Sequence, residues 1–261
     1  MRTFLAALFS SVVAALQTGV VVPTQQLAIV RAEPGSYLLC KQLAGLAVGA
    51  FYGEHAMMDG PLAYAQRAVI TENVLQDLSS RLKFYEEARD RELPHVGAVL
   101  MVEDRRTGNV LGFADVGVHT HDRDALTFLL PKRPEGADDG PGSCERRPYI
   151  SNLAVSESAR RRGVGRFLME ACEREARTWG DDAVWLEVSL SNTGGQAFYE
   201  QLGYLQEAST RGREVIKKQA APFLTTFESN EVERRLLRKP LVERSEGEAQ
   251  ASGAADVVLQ V

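Results

Sequence analysis

The 261-residue sequence predicts a mixed α/β domain around one twisted sheet, and three observations carry that prediction. Residues 149–155, Tyr-Ile-Ser-Asn-Leu-Ala-Val, form a strand-like run that leads through Arg160-Arg161-Arg162-Gly163-Val164-Gly165 into an amphipathic helix. Residues 183–190, Ala-Val-Trp-Leu-Glu-Val-Ser-Leu, read as a second strand. Along the chain the elements follow the order β-α-α-β-β-β-α-β-α-β-β, which one sheet packed against helices accommodates.

Residues 27–31 begin the fold as a strand, and residues 37–51 form the first helix. Residues 71–91 form the second: Thr71 is an N-cap candidate, Val74, Leu75, Leu78, Leu82 and Tyr85 make a buried stripe, and Pro94 forbids continuation. Strands at 97–103 and 109–118 are joined by a turn at Arg105-Arg106-Thr107-Gly108. Residues 131–148 are rich in proline, glycine and charge, which predicts a mobile loop. The helix opening at Val164 carries apolar residues at Phe167, Leu168, Ala171, Cys172 and Ala176 and stops at Gly180. A further helix follows Asn192, with Phe198 and Leu202 as its buried stripe. Two strands, 204–208 and 213–218, joined tightly through Arg211-Gly212, end the sheet.

These elements divide the chain into residues 1–25, 26–219 and 220–261, the middle segment being the one folded domain expected. The last segment is charged and expected to be largely disordered, with a short helix around 231–238. In the first, Arg2 is the only charge before Arg31 and no acidic residue precedes Glu33, the pattern of a targeting presequence. Import into a plastid fits it; secretory entry and a cytoplasmic protein stay open. Ser10, Ser11, Gln17 and Thr18 weigh against a membrane anchor, so no stable span is expected in the mature form.

A net charge of −5 argues against a nucleic-acid partner, because phosphate-backbone affinity needs clustered lysine and arginine that this chain shows only at 160–166. Cys40, Cys144 and Cys172 lack the C-x-x-C spacing of a disulfide framework or zinc site. His119 and His121 are two apart at a strand end and face one side, but no third ligand is in view, so no metal is expected and a surface or acceptor-groove role is preferred. His55 reads as an exposed loop residue or part of the acceptor site.

The turn at 160–165 is an anion cradle. Backbone N–H groups at a helix N-terminus point one way and the helix dipole adds partial positive charge, so a pyrophosphate can be held there. Gly163 and Gly165 keep Cβ atoms away from the ligand, and the arginines screen further phosphates. Farther on, Asn192 and Tyr199 are seven residues apart and share a helix face.

The order strand, R/Q-x-x-G-x-G/A, helix, strand, N-x-x-(small)-x-x-(F/L)-Y-x-x-x-G-(F/Y) resembles the GNAT superfamily of acyl-CoA N-acyltransferases over residues 149–204, and more loosely over 26–219. In texture the chain is similar to bacterial ribosomal-protein N-terminal acetyltransferases and to plastid protein acetyltransferases. Gly195 departs from the alanine usual at its position. The resemblance implies a twisted central sheet with helices on both faces, acetyl-CoA as co-substrate, and central parallel strands, 149–155 and 183–190, that splay after a bulge. That bulge is expected near Leu153-Ala154-Val155, whose freed backbone groups hold the pantetheine arm and the thioester carbonyl.

Acyl transfer to an amine needs a held coenzyme, a neutral amine, an oxyanion donor and a proton for the departing thiolate. Arg160, Arg161, Arg162, Gly163, Val164 and Gly165 hold the pyrophosphate; the Val155 N–H is the oxyanion donor. Tyr199, whose ordinary pKa near 10 lies close to the thiol's of about 8.5, is the general acid; a packed helix tyrosine is the other reading. Asn192 contacts the pantetheine arm or simply caps its helix. Glu187 is the base, acting through water, or else a strand glutamate directed into solvent.

The expected activity is direct transfer of an acetyl group from acetyl-CoA to a protein or peptide amine, an N-terminal α-amine or a lysine ε-amine. A small-molecule amine acceptor and a non-catalytic coenzyme A-binding protein are the alternatives. The tight connection at 209–212 is expected to leave one side of the acceptor groove open to a long lysine side chain.

Overall fold

The computed structural model describes residues 26–52, 61–92, 96–122, 127–129, 144–221 and 224–241. Its strands are β1 (Leu27–Arg31), β2 (Gly97–Asp104), β3 (Val110–Asp122), β4 (Thr127–Leu129), β5 (Cys144–Val155), β6 (Ala183–Ser189), β7 (Leu205–Ala221) and β8 (Leu224–Pro240). They form one sheet in the order β1-β2-β3-β5-β6-β8-β7, with β4 on the end of β3. Every described pairing is antiparallel except β5 with β6, and those parallel neighbours meet at a single pair, Tyr149 with Trp185. Beyond that pair the two strands diverge.

Side chains alternate across a strand, so each strand feeds two cores. Leu100, Val102, Ala114, Val116, Ile150, Val184, Leu186 and Val188 face α3 (Val164–Thr178), with Leu202 and Tyr204 completing that cluster. Val99, Met101, Phe113 and Ala154 face the other way, against α1 (Tyr37–Tyr52) and α2 (Pro61–Asp90). The helices therefore lie on both faces, as the resemblance implies. α3 buries Val164, Leu168, Ala171, Cys172 and Ala176, one face of a 3.6-residue period, between Gly163 (φ 84°) and Gly180 (φ 81°). The fourth helix, α4 (Thr193–Gln201), is tied to the end of β6 by Gln196, whose Nε2 donates to the carbonyls of Ser189 (3.1 Å) and Leu190 (2.9 Å).

Three expectations need correction. The second helix starts at Pro61 rather than Thr71; proline suits the first helical turn, and Thr71 sits inside with its hydroxyl on the Arg67 carbonyl (2.8 Å). Residues 144–148, expected in a loop, belong to β5, where His119 pairs with Arg147 and His121 with Glu145. Their charge is absorbed in place: Arg147 donates to Glu145 (2.6 Å) and lies 4.7 Å from the Trp185 ring centroid.

The largest correction concerns the end of the chain. No turn forms at Arg211-Gly212: β7 runs through it, and the segment expected to be disordered or helical returns as β8 between β6 and β7. Leu236 and Leu237 point to opposite faces of the sheet and both are buried, a period of two that an isolated charged segment conceals. The β7–β8 hairpin continues past β6 and reaches the helices, where the Phe227 N–H donates to Gln66 Oε1 (3.1 Å) and the Phe227 ring meets Tyr52 (5.8 Å between centroids). Residues 1–25, 130–143 and 242–261, which hold the expected presequence, most of the expected loop and the end of the tail, lie outside the described residues. Among the described residues no helix is long and apolar enough to cross a membrane.

Candidate active site

β5 carries an extra residue where it meets β3: Phe113 pairs with Ala154 but Asp115 with Ser151. The bulge is at Asn152–Leu153, one residue earlier than expected, and Asn152 adopts φ 54°, a left-handed conformation that asparagine tolerates well. After it, the Ser156 N–H donates to the Leu111 carbonyl (2.9 Å). In an antiparallel ladder this makes Gly112–Val155 a non-hydrogen-bonded pair, so the Val155 N–H and C=O point away from β3 toward the gap beside β6. The Ala154 side chain is buried among α1 and α2, whereas Leu153 lines the gap.

The bulge is braced from behind. Asp115, fully buried opposite Ser151, pairs with Arg81 and accepts from the Tyr85 hydroxyl (2.8 Å). Tyr85 fits because Gly97 and Gly117 are cross-strand partners: a Cβ on either would come within 2.5 Å or 2.6 Å of its ring or hydroxyl.

The cradle follows β5 through one 3-10 turn, Glu157–Ala159. Arg161 (φ 62°) and Gly163 (φ 84°) are both left-handed, and the first N–H groups of α3 find no protein acceptor among the described residues. Space around Gly163 is open, so its glycine is required by φ. Gly165 has a different reason from the one expected: a Cβ there would lie 3.3 Å from the Phe198 ring, so it lets α3 close on α4. Arg160 is committed to protein, donating to the carbonyls of Val155 (3.3 Å) and Ala50 (3.3 Å). Arg161 and Arg162 are exposed beside the turn.

The divergence of β5 and β6 opens a cavity of about 750 Å³ lined by Asn152 and Leu153 of β5, Glu187 of β6, and Asn192 and Tyr199. A volume of that order suits an extended small molecule. Tyr199 is half-buried, its ring against Phe198 (5.3 Å) and Tyr204 (5.9 Å), and burial, helped by Cys172, pushes its pKa up to about 12. Glu187 faces the cavity rather than bulk solvent. Its Oε1 accepts from Thr210 Oγ1 (2.9 Å) and its Oε2 from Arg234 Nη1 (3.3 Å). Asn192 caps α4, accepting from the Gly195 N–H (2.8 Å), and it lines the cavity as well. Gly195 permits this: a Cβ would stand 2.6 Å from Asn192 Nδ2.

The remaining candidates fall elsewhere. His119 and His121 are buried, not at the surface, and neither lines the cavity. His119 stacks on Tyr149 (4.9 Å), and burial pulls its pKa down to about 3. Among the described residues no group of three metal-ligating side chains comes together. His55 lies outside them. The other wall of the cavity was not foreseen: Tyr52 from α1, Arg213 and Glu214 from β7, and Arg234 from β8.

An open helix N-terminus leading to a gap between splayed parallel strands is the arrangement of an acyltransferase fold. Residues 66–204 match the model of the acetyltransferase (GNAT) family, and the chain belongs to that family. It is similar to the ribosomal protein bS18-alanine N-acetyltransferase of Salmonella typhimurium, 45% identical over 62 residues that cover 24% of this chain and 41% of that protein. It is also similar to two Arabidopsis thaliana proteins, GCN5-related N-acetyltransferase 4, chloroplastic (38% over 56 residues, 22% of this chain and 19% of that one) and GCN5-related N-acetyltransferase 7, chloroplastic (31% over 71 residues, 27% and 26%). The matched stretch thus spans less than half the length of these relatives. Among solved structures, YncA of Salmonella typhimurium with its cofactor acetyl-CoA aligns at 17% identity and a TM-score of 0.47, covering 84% of this chain and 96% of that one.

Proposed function

We propose that this protein transfers an acetyl group from acetyl-CoA directly to a protein amine, an N-terminal α-amine or a lysine ε-amine, in a plastid. The observation that carries the reading is a cavity lined by Tyr199, Glu187 and Asn192 between the diverging strands, on the side of β5 to which the Val155 N–H is freed, with the cradle following β5 in the chain. Acetyl-CoA would supply the thioester; its phosphates fit the α3 N-terminus, where left-handed Arg161 and Gly163 turn backbone N–H groups outward.

The Val155 N–H is a fixed dipole for developing negative charge on the carbonyl oxygen. Glu187, held at both oxygens, takes the amine proton through water. Tyr199 supplies the proton to sulfur. With its pKa near 12, giving that proton to a free thiolate is uphill by about 5 kcal/mol, so the transfer accompanies cleavage of the C–S bond rather than following it. The plastid address is supported by the acid-poor residues 1–25, read as a presequence, and by the two relatives named chloroplastic.

The full chain incubated with acetyl-CoA and matched peptides, with free or blocked N-termini and with or without an internal lysine, tests the reading. Mass spectrometry should find acetyl groups on amines; release of coenzyme A with no acetylated peptide would sink it.

A further inference from the structure

Glu187 is aimed by an arginine that the sequence alone does not connect to it. Arg234 Nη1 donates to Glu187 Oε2 (3.3 Å), its Nε lies 3.5 Å from Glu214 Oε1, and its Nη2 donates to the Arg213 carbonyl (2.9 Å). Two bonded corners, Nη1 and Nη2, orient a planar guanidinium, while Nε faces the Glu214 carboxylate as an ion pair without a hydrogen bond. With Thr210 on the other Glu187 oxygen, the carboxylate cannot swing.

Gly212 makes room for this arrangement. It is not among the residues with positive φ, so its backbone does not demand glycine, and a glycine inside a strand costs stability. A Cβ at Gly212 would stand 2.7 Å from Arg234 Cζ and 2.8 Å from both Nε and Nη1. The slot is shaped to the guanidinium.

We propose that Arg234, seated in the slot left by Gly212, is a positioning residue for acetyl transfer: it fixes the direction of Glu187 and balances the charge of the acceptor side of the cleft. The proposal rests on reading the cleft as the acetyl-transfer site. An amine attacks only when neutral, and a net-negative lining would hold it as the ammonium. Glu187 and Glu214 are offset here by Arg213 and Arg234, while Tyr52, Tyr149 and Tyr199, the other ionisable groups around them, are all raised by burial and stay neutral near pH 7. Removing Arg234 leaves the lining one charge more negative.

The expected results separate positioning from folding. Arg234→Gln lowers kcat/KM for the amine by roughly tenfold to a hundredfold, leaves acetyl-CoA affinity by calorimetry unchanged, and moves the rise of the pH–rate profile to higher pH. Gly212→Ala displaces only the end of a flexible side chain, so the fold survives and the same changes appear without touching Arg234 itself. In an Arg234→Gln background, Gly212→Ala adds nothing. Wild-type kcat/KM in Gly212→Ala, or an equal further loss in the double variant, overturns the proposal. A melting-temperature cycle of Glu187→Gln and Arg234→Gln reads the clamp without substrate: coupling that disappears in Gly212→Ala is expected, and absence of coupling in the parent overturns it. A wild type that acetylates no peptide instead refutes the acetyl-transfer reading and the catalytic half of the proposal, while the cycle still decides the clamp.

Discussion

Replacing Tyr199 with phenylalanine deletes one hydroxyl and keeps the ring between Phe198 and Tyr204, at 5.3 Å and 5.9 Å. Packing is conserved, so stability should change by less than about 1 kcal/mol. A positioned general acid contributes roughly 10²-fold to 10⁴-fold, and kcat should fall by at least the lower figure while acetyl-CoA affinity holds. The raised pKa sharpens the test. At about 12 in the fold against an ordinary value near 10, the folded protein binds the proton more tightly, so this phenol's contribution to stability is complete below pH 10 and is lost as pH rises through 12. Over the same range the acid stays protonated up to about pH 10, and the wild-type rate should show no basic limb from Tyr199 before then. Thiol release at saturating acetyl-CoA and peptide, followed from pH 6 to 10 for both proteins, measures this. Wild-type kcat in the variant would refute the reasoning.

Gly163→Asp has open space for its side chain but strains the backbone at φ 84° and sets a carboxylate at the cradle, so acetyl-CoA affinity by calorimetry should drop by roughly tenfold or more; unchanged affinity would remove the cradle from the site. Gly195→Ala should bring none of the gain of about 1 kcal/mol usual for alanine in a helix, because the new Cβ would meet Asn192 Nδ2 at 2.6 Å and disturb the cap; a rise of several degrees in Tm would contradict this. His119, with its pKa pulled to about 3, contributes stability that is complete above its ordinary value near 6.5 and is lost as pH falls toward 3, on the order of 5 kcal/mol. His119→Phe should therefore flatten the fall in urea midpoint between pH 7 and 4, and an unaltered pH dependence would count against a neutral buried imidazole.

Local features of this fold are legible in the sequence, and distant pairings are not. Gly163 and Gly180 mark the ends of α3 because each stands at positive φ, a backbone need that one residue announces. The stripe of Leu75, Leu78, Leu82 and Tyr85 likewise identifies the buried face of α2, although the helix begins earlier than the stripe suggests. Gly212 shows the limit. It reads as a turn glycine, yet its cause is the guanidinium of a residue on the neighbouring strand, and nothing local distinguishes the two. Once that turn is assumed, β8 is invisible, because Glu231 to Arg238 carries charge enough to pass for a solvated helix. Arg234 and the far wall of the cleft disappear with it. On the near side, the sequence could single out Tyr199, Glu187 and Asn192, which line the cavity, because they follow short motifs on consecutive elements.

The same correction changes the argument about acceptors. A tight connection at 209–212 would leave the groove open on one side, but the structure has a continuous strand there with a long hairpin beyond it. Phe227 of that hairpin packs on Tyr52, and Tyr52 lines the cavity together with Arg213 and Glu214. The groove is walled on the side expected to be open. A wall excludes bulk and not reach, so the selection we predict is between slender and bulky carriers of an amine, rather than between α- and ε-amines. A chain terminus or a lysine in an unstructured peptide can enter a narrow cleft, whereas a lysine on a folded surface brings its neighbours with it. Acetylation rates for one lysine-containing sequence, compared as a free peptide and as the same segment held within a stable helical protein, should differ by more than tenfold in favour of the peptide, on the order of the cost of misplacing a reacting group. Equal rates would mean that the hairpin does not border the path of the acceptor.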